Sequence, residues 1–256
     1  MSRVLVTGSS DGIGLESARQ LLEAGHDVVG HARNAERAAQ LRDALPGLSG
    51  VVVGDLASLA ETRALAAAAT TAGPFDAVIH NAGIGGGSER LVTADGLELI
   101  FQVNTVAPYL LTARIPRPHR LVYLTSGLES QGRANLDDLQ YADREWDGMQ
   151  VYSDSKLYDV VLAFAVARLW PDVLVTTVDP GWIKTKLGGP NARDEVDEGA
   201  STQVWLATSD DAAARVTGEY VKRFEIQVAN PEASDLAIQD GLLARLAEIT
   251  GVRLPR

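Results

Sequence analysis

Tyr152 and Lys156 stand four residues apart in a stretch with helical periodicity, so their side chains share one helix face. A phenol ordinarily titrates near pH 10, too high for a base at neutral pH. An ammonium beside it favours the phenolate and brings the group into range for moving a proton. Ser126 closes an apolar run upstream and adds a hydroxyl. A tyrosine and lysine at this spacing are common by chance, and two exposed residues would be the usual reading. The pair gains meaning from what precedes it in the chain.

The run Thr7-Gly8-Ser9-Ser10-Asp11-Gly12-Ile13-Gly14 lies between an apolar strand and a helical pattern. Its glycines permit a tight turn and close backbone approach to a pyrophosphate, and the helix start offers free N–H groups to the anion. The spacing is GxxxGxG, and a plain turn is the competing reading. A dinucleotide bound here would meet the end of the second strand with its adenosine ribose. An acid there holds the 2′-hydroxyl of NAD, whereas a base favours the 2′-phosphate of NADP. Ala32 stands where an acid would, and Arg33 follows. A guanidinium can fork onto a phosphate, so Arg33 favours NADP(H) over NAD(H). Asp11 argues the other way, with a negative charge in the same loop. Asp55-Leu56 follows the third strand. The Asp55 carboxylate either accepts from the adenine amino group or caps the next helix. Asn81-Ala82-Gly83 follows the fourth strand, where small residues let a flat ligand or another backbone pass.

The elements that must position these residues alternate. Strands are expected at Val4–Thr7, Asp27–Gly30, Val51–Gly54, Asp76–His80, Leu121–Thr125, Val173–Val178 and near Gly218–Val221. Helical patterns cover Gly12–Ala24, Asn34–Ala44, Leu59–Thr71, about Leu97–Ala113, Tyr152–Leu169 and about Ala200–Thr208. This order predicts an α/β fold: one doubly wound parallel sheet between two helix layers, as a single domain over residues 1–256. Two loops are long, Gly127–Gln150 and Gly188–Glu198, and loops of that length in a compact domain are usually functional or mobile.

Composition narrows the classes. The chain has 256 residues, no cysteine and a net charge of −11. Thiol nucleophiles, disulfides and cysteine metal sites are excluded, and a broad nucleic-acid footprint is not expected. Four histidines without ligand spacing argue against a catalytic metal. No apolar run approaches the ~20 residues of a membrane span, and no signal peptide is recognisable. A soluble cytoplasmic protein is expected.

Taken together, Thr7–Gly14, Asn81–Gly83, Asn104, Ser126, Tyr152/Lys156 and Pro180-Gly181-Trp182-Ile183-Lys184-Thr185 resemble the short-chain dehydrogenase/reductase family over nearly the whole chain. Thr93–Glu98 leading to Asn104, Leu136–Gln140, Ser155-Lys156-Leu157, Asp179–Trp182 and Gly218-Glu219-Tyr220 are similar to its retinol-dehydrogenase-like and WW-domain-oxidoreductase-like branch. The resemblance implies a Rossmann-type fold and hydride transfer between a nicotinamide cofactor and a carbonyl or alcohol. It gives Tyr152 the role of general acid or base, with Lys156 lowering its pKa and holding the nicotinamide ribose. Ser126 would hold the reacting oxygen, and Asn104 a helix bend and a water. Ala82 and Gly83 would pass close to the cofactor; Ile183 would meet the carboxamide, and Thr185 the carboxamide or phosphates. A dimer or tetramer pairing through the helices of Asn104 and Tyr152 is also implied. His80 departs from the pattern, standing where the family often has an asparagine that bridges strands. The connection Arg114–Arg120 is short for the branch, and the membrane anchor of retinol enzymes is not recognisable.

Two other readings stay open: a non-catalytic NADP sensor, and an epimerase or dehydratase on the same fold. The substrate is expected against Ile84–Ser88, Gly127–Gln150 and Leu187–Glu198, with Trp146, Met149 and Trp182 as candidate apolar surface, and Gly188–Asn191 reads as a lid.

Overall fold

Short, β-branched segments form the sheet in the computed structural model, which describes residues 1–255. The strands are β1 (Arg3–Val6), β2 (Asp27–Ala32), β3 (Gly50–Val53), β4 (Ala77–His80), β5 (Arg120–Leu124), β6 (Leu174–Asp179), β7 (Glu219–Lys222) and β8 (Glu225–Gln227). Their order is β3-β2-β1-β4-β5-β6-β7-β8, parallel throughout except for the antiparallel pair β7–β8. Strands such as β5 are buried along their whole length, as helices on both faces require. The order reverses between β1 and β4, and the crevice beyond their carboxyl ends is where this architecture takes ligands.

Helices α1 (Gly12–Glu23), α2 (Ala35–Ala44) and α7 (Val196–Thr208) share one apolar cluster with one sheet face, around Val4, Val6, Leu21, Leu41 and Leu206. The second layer holds α3 (Leu59–Ala72), α4 (Leu99–Phe101), α5 (Ala107–Arg114), α6 (Gly148–Leu169) and α8 (Leu236–Thr250), around Leu65, Phe101, Tyr109, Leu162, Trp170 and Leu246. Side-chain caps open many of them: Asp11 accepts from Gly12 N, Asn34 from Arg37 N and Asp147 from Met149 N. Among the described residues, no helix is long and apolar enough to cross a membrane.

Several boundaries differ from expectation. The helix expected at Leu97–Ala113 is α4 and α5 joined by a π-helical segment, Gln102–Val106. Residues 100–112 are buried on every side, so there is no amphipathic period whose shift would reveal the inserted residue of a π-bulge. The Tyr152 helix begins a turn earlier at Gly148, and α7 begins at Val196. Ser58, not Asp55, caps α3, accepting from Glu61 N, while the Glu61 carboxylate reaches back to Asp55 N at 2.8 Å. The sequence has the S-x-x-E spacing of a capping box, but the Glu61 carboxylate takes the Asp55 N–H, while Ser58 N donates to Asp55 O. Strand β8 and helix α8 were not expected at all.

Candidate active site

The glycine turn is fixed from three sides. Gly8 has φ +65°, and a Cβ on it would meet the Ala82 backbone; Gly12 has φ +52° and lies against the Thr185 methyl. A Cβ on Gly14 would overlap the Gly8 carbonyl, so only glycine lets α1 start this close to β1. Asn81 Nδ2 donates to the Thr7 carbonyl at 2.9 Å, and Thr7 Oγ1 accepts from the Asn81 and Ala82 N–H groups. His31, at the end of β2, holds the other side. Its Nδ1 accepts from Gly8 N (2.9 Å), and its Nε2 meets Gly54 O at 2.9 Å. Its backbone N–H and C=O both bond the buried Ser9 hydroxyl. Burial holds the His31 pKa below the usual imidazole value, although Gly54 and Asp55 pull the other way. The neutral ring fits its role as acceptor and donor at once.

This cradle fits a dinucleotide. The first-turn N–H groups of Ile13 and Gly14 have no partner within their helix, which leaves them for a pyrophosphate. At the adenosine end Arg33 is exposed and makes no ion pair among the described residues. Sequence reasoning stopped there and missed Arg37, one turn further on. Arg37 donates to Ser10 O (3.0 Å) and to Asp11 Oδ2 (3.2 Å). Lys186 also reaches Asp11, and its hydrogen bond is the largest cause of the lowered Asp11 pKa. The negative charge of Asp11 is therefore shared by two cations rather than left facing a phosphate. Asp55 Oδ1 accepts from Ala57 N in a local turn, and the Leu56 side chain is buried in the core.

At the other end, α6 carries Tyr152, half-buried, and Lys156, buried. Lys156 Nζ lies 5.9 Å from the centre of the Tyr152 ring. It donates to Leu124 O (3.0 Å) and to Asp159 Oδ2 (2.8 Å). Burial opposes its charge, but Asp159 and Tyr152 outweigh that and hold its pKa up. Thr125 Oγ1 donates to the Lys156 carbonyl at 2.7 Å, clamping the end of β5 to the helix next to Ser126. Ser126 itself accepts from Leu128 N at 3.3 Å. Asn104 lies in the π-helical segment. Its Oδ1 accepts from Ile84 N (2.9 Å), and its Nδ2 donates to Ile84 O and Ser155 Oγ, both at 3.0 Å. The amide thus ties the loop after β4 to α6 through protein groups. Gly83 faces both Lys156 Nζ and Asn104 Oδ1.

The turn Pro180–Thr185 crosses from β6 back to the glycine turn. Gly181 has φ +98°, and its N–H is held by Asp179 Oδ1 at 2.9 Å. The Ile183 side chain is buried, and Thr185 Oγ1 accepts from Gly188 N (3.1 Å). Bonds from Trp182 Nε1 to Gly188 O (2.8 Å) and Lys184 N to Asp194 O (3.0 Å) fasten the base of the loop expected to be a lid. Leu187, just before that loop, meets Gly85. Facing it, Trp146 Nε1 donates to Gly87 O (3.0 Å), and a shallow cleft opens among Gly87, Ser88, Glu145, Trp146, Asp147 and Gly148. Trp182 and Met149 are exposed. His80 makes no strand-bridging hydrogen bond among the described residues: it is buried, bonds Thr112 Oγ1 at 3.1 Å and stacks across the sheet on Tyr123. Among the described residues no cluster of His, Asp or Glu is arranged to hold a metal.

This fold and turn define a nicotinamide-dinucleotide-binding α/β protein, and comparison with known proteins gives the family. The short chain dehydrogenase model matches residues 2–196. A short-chain dehydrogenase of Penicillium rubens is 40% identical over 258 residues, covering all of both chains. Human retinol dehydrogenase 14 is 31% identical, over 92% of this chain and 82% of the relative. Among solved structures, a blue fluorescent protein from a metagenomic library, in complex with NADPH, superposes with a TM-score of 0.69 at 26% identity. It covers 86% of this chain and 95% of its own. The chain belongs to the short-chain dehydrogenase/reductase family of oxidoreductases. Its likeness extends to the retinol-dehydrogenase branch of that family.

Proposed function

We propose that this chain is an NADP(H)-dependent dehydrogenase/reductase that interconverts a carbonyl and an alcohol on a small cytoplasmic substrate. The observation that carries the reading is the placement of Tyr152 one helical turn from the buried Lys156, clamped to the strand end that bears Ser126. A bound NADP(H) would supply the hydride or accept it. In reduction the Tyr152 hydroxyl gives its proton to the substrate oxygen; in oxidation its oxygen takes one. Lys156 favours the phenolate and holds the nicotinamide ribose. The Ser126 hydroxyl orients the reacting oxygen. Asn104 keeps the loop of Ala82 and Gly83 against α6, so that the backbone beside the nicotinamide does not shift. Gly8, Ser9, Ser10, Gly12, Ile13 and Gly14 hold the pyrophosphate through backbone groups. Asp55 faces the adenine, and Ile183 and Thr185 face the carboxamide.

The preference for NADP(H) rests on Arg33, exposed at the end of β2, and on Arg37 one turn further on, with Asp11 already paired. The NADPH complex of the metagenomic relative agrees with it. Calorimetry of NADPH and NADH binding tests this directly. Arg33→Ala and Arg37→Ala should each weaken NADPH about tenfold, the size of one charge-assisted contact, and leave NADH unchanged. Unchanged NADPH affinity in both variants refutes the preference. NADPH consumption with a panel of aldehydes, ketones and quinones tests the reaction itself. Tight cofactor binding without turnover on any of them would refute the enzyme.

A further inference from the structure

Lys156 is not alone behind the site. One turn further along α6, Asp159 places Oδ2 2.8 Å from its ammonium nitrogen. Both side chains are about 5% exposed or less, so water screens neither. Asp159 Oδ1 is buried and has no hydrogen-bond partner among the described residues. A carboxylate with one oxygen unpaired in the interior is costly, and a fold keeps it only where a neighbouring charge makes up the loss. Among the described residues the one cation in contact is the ammonium beside the catalytic phenol. Three residues, Tyr152, Lys156 and Asp159, therefore stand at i, i+4 and i+7 on one helix face.

We infer that Asp159 is a positioning residue that offsets the charge of Lys156 and thereby keeps Tyr152 in its protonated, acid form. The inference rests on the reading of Tyr152 as the proton donor and extends it to a residue outside the family motif. A bare ammonium would pull the phenol strongly towards phenolate. An ammonium paired at 2.8 Å acts on Tyr152 as a dipole, whose field falls off faster. The pairing does not disable the lysine. An ammonium has three donors; Leu124 O and Asp159 take two, and one remains for a ribose hydroxyl. The surroundings support a fixed counter-charge. Burial, ahead of the attraction of Lys156, raises the Asp159 pKa to about 6. From β5, Tyr123 faces the carboxylate with a hydroxyl shared with Thr112 of α5; burial first, then the charge of Asp159, keeps that phenol protonated. From β4, His80 lies beyond Thr112 and is neutral, its pKa pushed down to about 3 by burial. Neither supplies a second cation. Near neutral pH the pair is formed. Below about pH 6 Asp159 takes up a proton, and Lys156 acts at full strength.

The test is the titration of Tyr152 in the full chain, read as tyrosinate absorbance after subtraction of the matching Tyr152→Phe protein. Asp159→Asn keeps the shape and removes the charge; Asp159→Ser does the same with a smaller side chain if the first variant folds poorly. The Tyr152 midpoint should fall by about one pH unit or more, a tenfold change in proton affinity. Both pH–rate profiles, for reduction and for oxidation, should move to lower pH by the same amount, with the substrate KM little changed. Asp159→Glu, which restores the charge, should return the midpoint towards that of the parent. A midpoint unmoved in both neutral variants overturns the inference, as does a loss of kcat equal at every pH. The titration needs no substrate. A shifted midpoint without turnover would therefore refute hydride transfer and leave this pairing standing, whereas turnover with an unmoved midpoint would refute the pairing alone.

Discussion

One imidazole does much of the work of shaping the cofactor cradle. His31 satisfies the Gly8 N–H with Nδ1 and the Gly54 carbonyl with Nε2, so His31→Leu leaves a half-buried and a buried polar group without partners. Each costs about 1–3 kcal/mol. Gly8 opens the turn that meets the pyrophosphate, so the loss should appear in the cofactor. Calorimetry of the variant should show NADPH binding weakened about tenfold or more, with kcat at saturating cofactor nearly unchanged; equal affinity would sink the idea. A pH dependence follows. The folded-state pKa of His31 is lowered by burial, whereas the unfolded chain protonates this ring below about pH 6.5. The stability held above that pH is lost as pH falls through the window below it, by up to about 1.4 kcal/mol per unit. The stability gap between parent and His31→Leu, measured by urea unfolding, should therefore narrow from pH 7.5 to 5.5. At this scale the sequence was uneven. Tyr152, Lys156 and the glycines stood out because their spacing is rare in combination. Arg37 and Asp159 did not, because a charge three or four residues from another on a helix is usually a solvated pair, and Lys186 did not, because its partner Asp11 is 175 residues away in the chain. Only the fold shows that Asp159 is buried.

At the scale of elements, strands and turns were legible because each is written in local chemistry: β-branched runs, glycine at positive φ, an Asp or Asn before a helix. What local chemistry hid was the way segments lean on each other. The π-helical segment is buried all round, so no polar face marks its change of register, yet it is what carries Asn104. The same holds at the mouth of the site, where Gly86 and Gly87 cross the start of α6. A Cβ on Gly86 would overlap the Gly148 carbonyl, and one on Gly148 would overlap the Gly87 carbonyl. Two backbones meet with no side chain between them, and the Trp146 indole closes the contact. Gly86→Ala must push the 84–88 loop away from α6, one turn before Tyr152. The displaced loop borders the substrate and only the edge of the cofactor site. Steady-state kinetics should show substrate KM raised severalfold, with NADPH KM within about twofold of the parent. A rise in NADPH KM instead would place the loop on the cofactor.

Across the whole molecule, helix α8 and the residues after it cover the face of α6 turned away from the sheet. Leu242 and Leu246 are fully buried in the core cluster that includes Leu162 and Trp170. Gln239 Oε1 accepts from Arg168 Nε at 3.0 Å. The end of the chain then stitches three helices: Thr250 O accepts from Arg63, Val252 O from Tyr109 OH (2.7 Å) and Pro255 O from Trp170 Nε1 (2.7 Å). The Arg117 guanidinium stacks on the Trp170 ring at 4.4 Å. The signals for α8 were in the sequence, with Asp235 before an apolar helical pattern and Gly251, at φ +67°, after it. They became meaningful only once α6 was seen to need a cover. This bears on the pairing that the family resemblance suggested: a second copy could reach the outer face of α6 only by displacing α8. Leu246→Ala should cost about 2–5 kcal/mol of unfolding free energy, as a cavity between α8 and α6 requires. Deleting residues 236–256 should go further. With Trp170, Tyr109 and the α6 face bare, the shortened chain exposes an apolar patch of the kind that drives self-association. Sedimentation velocity over a range of concentrations should show the shortened chain associating, with a weight-average mass that rises with concentration above that of the full chain. A shortened chain that stays as stable and as monodisperse as the full one would mean that α8 is an appendage, and that the face beneath it is free for a partner after all.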